Sequence, residues 1–290
     1  YAQSQKKKFK MNITGGEPFV NPNFLNILVY AKQKPSLTQL AVVSNGSIPL
    51  QIYLKATKYL TNITISLHLE QSQQVTERTI ENILKLSKNT GVKKVIYSSS
   101  SEVYGEPVEY PQNEETTPLN SRLPYAIVKN VGEAFLKSYK QEYDLDYVIY
   151  RFFNTFGPKQ SKDFVISKFI NAALNNNDIT IYGDGSQTRT FCYVQNNVEA
   201  TIKAAFSDEY VNQTINIGND IETSILELAK LIIRLTGSSS KIVHLPPLEE
   251  GDMTRRKPDI TKMKQLLGNN KIYTLEEGLK KVLSNTSFIL

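Results

Sequence analysis

The stretch from Val95 to Lys129 constrains this chain more than any other part of its sequence. It opens with the short apolar run Val95-Ile96-Tyr97, which leads into four consecutive serines, Ser98 to Ser101. A short β-branched run that ends in small hydroxyl residues is typical of a buried parallel strand. Because ligands of open α/β sheets bind beyond the carboxyl ends of such strands, the serine row predicts a functional site.

Tyr125 and Lys129 lie four residues apart in a segment of helical character, from Pro124 to about Tyr143. This spacing places both side chains on one face of a helix. A phenol with a pKa of roughly 10 is a poor base at neutral pH, and a neighbouring ammonium lowers that pKa by stabilising the phenolate. We therefore predict that Tyr125 removes a proton from an alcohol while a serine at the strand end binds the same oxygen.

The composition is that of an ordinary globular protein. The 290 residues are 40% hydrophobic and 21% charged, enough to bury a core and to form one large or two modest domains. The net charge of +6 includes a lysine run at residues 6–8, which is typical of a solvated terminus. We expect no nucleic-acid partner, whereas an anionic ligand such as a nucleotide diphosphate suits the basic excess.

Cysteine content and hydropathy exclude two further classes. Cys192 is the only cysteine, so an internal disulfide and a multi-cysteine metal site are both excluded, and we expect a core thiol. The sequence contains no run of about 18 apolar residues, which a membrane span requires, and no signal-peptide pattern. We therefore expect a cytoplasmic protein without a membrane partner.

Strand-like and helix-like segments alternate along the chain, which predicts a parallel α/β architecture. A more polar sequence with longer loops after Pro158 predicts a smaller C-terminal lobe. Thr76 is a predicted helix N-cap, and Gly237 a predicted helix stop. We predict strands near residues 10–14, 40–43, 61–67, 95–98, 147–153 and 179–182, and helices near residues 23–34, 48–59, 76–90, 124–143, 163–174, 197–206 and 225–236.

Three motifs, taken in this order and spacing, resemble one known family. They are the run from Ser98 to Gly105, the Tyr125-x-x-x-Lys129 pair, and Arg-Phe-Phe-Asn-Thr-Phe-Gly-Pro at residues 151–158. From about residue 71 onwards the chain resembles the extended short-chain dehydrogenase/reductases, and among them the nucleotide-sugar epimerases, dehydratases and UDP-glucuronate decarboxylases. The resemblance implies a Rossmann-like parallel sheet with helices on both faces.

The same resemblance implies an activity. Family members are NAD-dependent isomerases or lyases, which oxidise a nucleotide sugar transiently at C4. The expected cofactor is NAD, the expected substrate is a UDP- or dTDP-sugar, and the expected assembly is a homodimer that pairs through helices including the Tyr-x-x-x-Lys helix.

Individual roles follow from the resemblance. Tyr125 is the expected acid/base, with Lys129 lowering its pKa, and Ser100 orients the reacting oxygen. Glu102 occupies a position at which decarboxylases and dehydratases use a carboxylate. Cofactor contacts are expected from Ser98, Tyr125, Lys129 and Phe152, and substrate contacts from Asn154, Arg189 and Arg256.

Structural alternatives to these roles stay open. Glu102 can equally be a solvent-facing glutamate. Asn154 can be a loop asparagine that satisfies its own backbone, and either arginine can belong to a surface ion pair.

The first seventy residues depart from this family. Its members carry G-x-x-G-x-x-G after the first strand, where the glycines let the backbone approach a pyrophosphate at a helix N-terminus. Here Gly15 is followed by Pro18 and Asn21 at the second and third positions. Pro18 lacks an N–H group, and Glu17 places a negative charge beside a bound diphosphate. The loop is therefore compromised as a phosphate cradle.

Part of this region resembles a second family, the radical S-adenosylmethionine enzymes. The resembling segments are Met-Asn-Ile-Thr-Gly-Gly-Glu-Pro-Phe at residues 11–19, the end of the strand at 43–46, and residues 63–68. The C-x3-C-x2-C motif that ligates the iron–sulfur cluster of that family is absent from the sequence, so we expect no cluster. The implied cofactor-facing positions are Gly15, Gly16, Glu17 and Ser44.

These resemblances predict three segments. Residues 1–70 form a radical-SAM-like α/β segment in place of the usual NAD-binding half, 71–157 a Rossmann-like catalytic core, and 158–290 mainly the nucleotide-sugar lobe. The leading hypothesis is an NAD-dependent epimerase, dehydratase or decarboxylase. The alternatives are a catalytically inactive hybrid that binds a sugar nucleotide without NAD, and a truncated radical S-adenosylmethionine fusion.

Overall fold

The computed structural model describes residues 8–13, 17–44, 48–65, 73–247 and 255–284. These residues form two compact units. Unit 1 comprises the described residues of Tyr1–Val95 and Val131–Asp146, and unit 2 those of Ile96–Asn130 and Tyr147–Leu290. No helix in the described ranges combines the length and apolar character that crossing a bilayer requires.

The first part of the chain alternates strand and helix three times. Its elements are β1 (Phe9–Ile13), α1 (Phe24–Lys32), β2 (Leu37–Ser44), α2 (Leu50–Thr57), β3 (Asn62–Ile65) and α3 (Gln73–Asn89). The strands form a parallel sheet in the order β1-β2-β3. The core of this unit includes Phe24 and Leu28 of α1, Leu40 and Val42 of β2, and Tyr53 of α2.

The predicted elements of this region are present, but their ends differ. α3 begins at Gln73, so the predicted N-cap Thr76 lies inside the helix. Apolar spacing identifies the buried face of a helix, whereas the exact position of its first turn varies by one or two residues. Residues 66–72, which include the predicted boundary between the segments 1–70 and 71–157, lie outside the described residues.

The second part of the chain holds the predicted serine strand and the C-terminal lobe. Its elements are β4 (Lys94–Ser100), α4 (Pro124–Tyr143), β5 (Asp146–Phe152), β6 (Thr155–Phe156), α5 (Val165–Leu174), β7 (Ile179–Tyr182), β8 (Thr188–Thr190), β9 (Cys192–Tyr193), α6 (Val194–Phe206), β10 (Gln213–Ile217), β11 (Glu222–Ser224), α7 (Ile225–Thr236), β12 (Ile242–Leu245), α8 (Thr261–Leu267) and α9 (Leu275–Leu283).

A three-stranded sheet in the order β10-β5-β4 supports the candidate site. β5 and β10 run parallel, with Tyr150 opposite Ile215. Residues 147–151 of β5 are all buried, as expected for a parallel strand covered on both faces. Cys192 packs against this region, and burial raises the pKa of its thiol to about 12, which confirms the predicted core thiol.

One hydrophobic cluster in unit 2 includes side chains of α5, α7 and α9, such as Phe169, Leu228 and Leu279. The bounds of α7 agree with the prediction because local signals define both ends. Ser224 forms a capping box with Glu227, and Gly237 closes the helix in the left-handed conformation with φ 65°.

Gly105 ends the 3₁₀ helix at residues 101–104, with φ 58° and ψ −141°. A Cβ atom there would lie 1.8 Å from the carbonyl oxygen of Asn120. Gly105→Ala should destabilise the protein by roughly 3 kcal/mol, from left-handed backbone strain and overpacking together. Urea unfolding measures the loss.

Gly237→Ala is the matched control. Its φ is 65° and no atom lies within 4 Å of an added Cβ, so only backbone strain remains. The expected loss is about 1 kcal/mol. Equal losses for the two variants would contradict the packing argument for Gly105.

Candidate active site

The serine row ends where β4 meets a 3₁₀ helix, Ser101–Tyr104. The Ser100 side-chain oxygen accepts a hydrogen bond from the backbone N–H of Glu102 at 3.2 Å and so caps this helix. Ser100 is buried, whereas the side chain of Ser98 is exposed. The fold therefore holds the Ser100 hydroxyl at the carboxyl end of the strand.

Tyr125 lies in the first turn of α4, half-buried, and the Ser100 side chain is the neighbour that lowers the pKa of its phenol. One turn later, Lys129 donates from Nζ to the carbonyl oxygen of Ser98 at 2.7 Å. The same Nζ lies 5.6 Å from the centre of the Tyr125 ring. The structure thus brings Ser100, Tyr125 and Lys129 together at one edge of the sheet.

The charge balance at Tyr125 differs from the sequence prediction, which had Lys129 lowering its pKa. Burial raises the pKa of Tyr125 above its usual value, the hydrogen bond with Ser100 opposes this rise, and the negative charge of Glu102 adds to it. Burial also lowers the pKa of Lys129. The Tyr125 phenol is therefore protonated at neutral pH, and Ser100 is the neighbour that favours its ionisation.

Glu102 and Arg256 form an ion pair, with 2.7 Å between Oε1 and Nη1 and side-chain exposures of 22% and 8%. The sequence predicted unrelated roles for them, a catalytic carboxylate and a substrate-phosphate ligand. The structure corrects this separation, because a buried guanidinium requires a nearby counter-charge and Glu102 supplies it. Glu102 is accordingly not a solvent-facing glutamate.

A cavity of about 350 Å³ in unit 2 brings Asn154 and Arg189 together. The Asn154 amide donates to the carbonyl oxygen of Thr190 at 3.2 Å, and Arg189 Nη1 donates to that of Thr188 at 2.8 Å. The volume lies in the range of small-molecule sites. Its aromatic lining consists of Phe164, Phe169, Tyr182 and Phe191.

Sequence reasoning missed this aromatic lining. The signal was present at Tyr182, because the side chains of β7 alternate between buried and exposed and the strand ends on an exposed tyrosine. Phe152, a predicted cofactor contact, packs at the edge of the core with its ring centre 5.9 Å from that of Tyr150.

In unit 1, Glu17 occupies the loop after β1. Its carboxylate accepts hydrogen bonds from the backbone N–H of Phe19 at 3.2 Å and from the Ser44 hydroxyl at 2.8 and 3.0 Å. Gly15 and Gly16 lie outside the described residues. Because a fixed carboxylate repels a phosphate, the described residues of this loop do not fit the diphosphate of a dinucleotide.

The sequence profile of the NAD dependent epimerase/dehydratase family matches residues 67–218. The chain belongs to this family. The match includes the Ser100 strand end, the Tyr125–Lys129 pair and Asn154.

Two curated relatives are similar to the chain. A UDP-glucuronic acid decarboxylase 1 of Xenopus tropicalis is 39% identical over 208 residues, covering 70% of this chain and 48% of the relative. A UDP-N-acetyl-alpha-D-glucosaminuronate decarboxylase of Bacillus cytotoxicus is 41% identical over 233 residues, covering 74% and 71%. The alignment thus spans about half the length of the frog relative.

Solved structures are similar to this chain over nearly its whole length. A UDP-glucose 4-epimerase of Thermotoga maritima with UDP-glucose aligns with a TM-score of 0.74 at 26% identity, covering 95% of this chain and 97% of the other. A UDP-N-acetylglucosamine 4-epimerase of Methanobrevibacter ruminantium gives a TM-score of 0.71 at 27% identity, covering 98% and 99%. The prediction of a Rossmann-like parallel α/β fold with helices on both faces is confirmed.

The radical S-adenosylmethionine resemblance receives no support from these comparisons. The epimerase alignments extend over nearly the whole chain, including most of the first seventy residues. Glu17 and Ser44, two of the implied cofactor-facing positions, bond to each other. The described residues form no group of three or more metal-ligating side chains that could hold an ion.

The family is NAD dependent, and unit 2 fits one end of that cofactor. A lysine ammonium carries three N–H donors, of which one goes from Lys129 to the Ser98 carbonyl. The others suit ribose hydroxyls, as the resemblance implies for this lysine. The fit at Lys129 contrasts with the misfit at Glu17.

Arg256 belongs to residues 255–259, which we call the strap. The preceding strap residue, Arg255, binds Glu222 in a bidentate pair, with Nε and Nη2 each 2.7 Å from a carboxylate oxygen. Thr188 donates to the same carboxylate at 3.0 Å. The bond to Arg255 is the main cause that lowers the pKa of Glu222 to about 2.

This pair predicts a pH dependence of stability. Because the folded pKa of Glu222 lies below its ordinary value, its contribution is complete above about pH 4.5 and is lost as the pH falls towards 2. Glu222→Gln should be less stable than wild type at pH 7, and the difference should shrink on acidification. Urea unfolding at several pH values measures it.

Glu276→Gln is the control, since Glu276 pairs with Arg234 and Lys280 on the surface. Solvent screening should leave its effect below that of Glu222→Gln at every pH. A stability difference for Glu222→Gln that stays constant from pH 7 to pH 3 would contradict the assignment.

Proposed function

We propose that this chain acts on a nucleotide sugar by transient oxidation at sugar C4, as an NAD-dependent epimerase, dehydratase or decarboxylase. The observation that supports the proposal is the placement of Tyr125 beside Ser100 at the end of β4, with Lys129 one helical turn further on. A phenol and a hydroxyl that lie next to each other can both bind the oxygen of one sugar hydroxyl.

Each residue has a stated task in this proposal. Ser100 binds the C4 oxygen of the sugar, and Tyr125 accepts the proton of the C4 hydroxyl and later returns it. NAD, when bound, supplies the acceptor for the hydride that leaves C4. Because burial raises the pKa of Tyr125, a cation or a hydrogen bond must favour the phenolate during the reaction, and Lys129 is the nearby cation.

Among the three reaction types we favour decarboxylation of a UDP-uronate. Both curated relatives described above are named as decarboxylases of such sugars. A uronate carries a carboxylate on C5. Arg256 is a buried cation whose partner in this structure is also a carboxylate, that of Glu102. Once C4 is a ketone, the bond from C5 to the carboxylate breaks, CO2 leaves, and the electron pair moves to the C4 oxygen.

The cavity that holds Asn154 and Arg189 is the proposed site of the nucleotide. Its aromatic lining suits a base, and a guanidinium suits phosphate oxygens. We favour UDP over dTDP because the relatives are named for UDP-sugars. A cytoplasmic homodimer completes the proposal, with the resemblance as support for the dimer and the buried thiol of Cys192 in keeping with a reducing compartment.

The test is turnover of UDP-glucuronate with NAD, followed by NMR of the sugar product and by CO2 release. Tyr125→Phe should lower kcat by a factor of roughly 10² to 10⁴, the usual contribution of a general acid–base group. Titration calorimetry should show unchanged UDP affinity. Tyr210→Phe, at a buried tyrosine in the core around β10, is the control and should retain wild-type turnover.

Two results would count against the proposal. Undiminished turnover by Tyr125→Phe would remove the tyrosine from the chemistry. Binding of UDP without any binding of NAD would favour an inactive hybrid.

A further inference from the structure

The Glu102–Arg256 pair joins two segments that are distant in sequence. Glu102 lies in a 3₁₀ helix of four residues, and Arg256 lies in the strap, whose described structure is irregular apart from an isolated bridge between Pro258 and Gln112. Neither segment forms enough internal hydrogen bonds to hold a 2.7 Å contact in place. The pair must therefore be positioned by other residues.

Gln112 holds the strap directly after Arg256. Its backbone N–H donates to the carbonyl oxygen of Lys257 at 2.7 Å, and its side-chain oxygen accepts from the N–H of Lys257 at 3.0 Å. Its carbonyl oxygen accepts from the N–H of Asp259 at 2.8 Å. A single fully buried residue thus bonds to the strap on both sides of Pro258.

Tyr104 plays the corresponding part for the 3₁₀ helix that carries Glu102. It is fully buried, and its hydroxyl donates to Asn216 Oδ1 at 2.9 Å and accepts from Arg151 Nη1 at 2.8 Å. Burial raises the pKa of Tyr104 to about 12, so the hydroxyl remains a donor.

Asn216 connects these two sides. Its side-chain amide donates to the carbonyl oxygens of Gln112 at 2.9 Å and Asp259 at 3.2 Å, while its Oδ1 accepts from Tyr104. The contacts close a ring, which leads from Glu102 through its helix to Tyr104, across Asn216 to Gln112 and the strap, and back through Arg256. Every member lies in unit 2.

One atom in the ring argues for a positional role. Gln112 Nε2 is buried without a hydrogen-bond partner in the part of the chain that the structure describes. An unmatched buried donor costs free energy, and the Gln112 amide carries this cost while its oxygen binds the N–H of Lys257. The specific gain from glutamine is its oxygen, which binds the strap.

We propose that Gln112 and Tyr104, joined through Asn216, are positioning residues that hold Arg256 against Glu102 in the orientation used for the reaction. The inference rests on the proposed function for its effect on turnover. Its structural content, the connection between helix and strap, can be measured without turnover.

Two substitutions each remove one side-chain hydrogen bond of the ring with little change of shape. Gln112→Met removes the oxygen that binds Lys257, and Tyr104→Phe removes the hydroxyl that binds Asn216. Each should lower kcat for UDP-glucuronate by about ten- to hundredfold with unchanged KM, the effect of displacing a reacting group by a fraction of an ångström to 1 Å. Tyr150→Phe is the matched control, because that buried hydroxyl donates to the Thr201 carbonyl, outside the ring.

A second set of variants separates positioning from general destabilisation. In a Glu102→Gln background the ion pair is already lost, so Gln112→Met and Tyr104→Phe should lower kcat no further. A further loss of the same size in that background would show a merely structural role and would overturn the proposal.

Hydrogen exchange at the strap gives a readout that needs no activity. Peptides containing the N–H groups of Lys257 and Asp259 should exchange about tenfold faster in both ring variants than in wild type or Tyr150→Phe. If wild type shows no turnover, the proposed function falls, and faster exchange still supports the ring. Unchanged exchange, or unchanged kcat in an active enzyme, overturns the proposal.

Discussion

A buried guanidinium needs a counter-charge or a full set of acceptors, and unit 2 meets this requirement twice. Arg256 is paired with Glu102, and Arg151 donates to the Tyr104 hydroxyl and the Glu114 carbonyl. Meeting these needs brings the 3₁₀ helix after β4 together with the strap. This charge matching and the sheet together fix the position of the serine end of β4 and of the Glu102 carboxylate beside it.

The candidate site combines a local and a distant part. Ser100, Tyr125 and Lys129 come from one strand end and the first turns of the next helix, so the backbone geometry of a few turns places them. Arg256 comes from much later in the chain and depends on a hydrogen-bonded connection through Asn216. Buried hydrogen-bond networks of this kind restrict motion, which suits a group that must hold a fixed orientation.

Several elements could be predicted because their signals are local. β7 and α4 have the predicted bounds, and α7 begins at its capping box and ends at Gly237 as expected. The predicted start of α3 was wrong, since the apolar spacing begins several residues after the first helical residue, Gln73. The sequence analysis also missed that the pKa of Tyr125 is raised. Burial is the largest cause of this shift, and helical spacing gives no information about burial at this position.

The sequence by itself determined the alternation of strands and helices, the family, and the grouping of a hydroxyl, a phenol and an ammonium at one strand end. The alternation and the grouping follow from periodicity and spacing over short stretches of chain, and the family follows from the resemblance that three short motifs carry. Only the tertiary structure decided that Glu102 and Arg256 neutralise each other and that Glu17 bonds to Ser44. Such partners depend on which distant segments of the chain are buried together. A linear pattern of residues does not specify which segments meet.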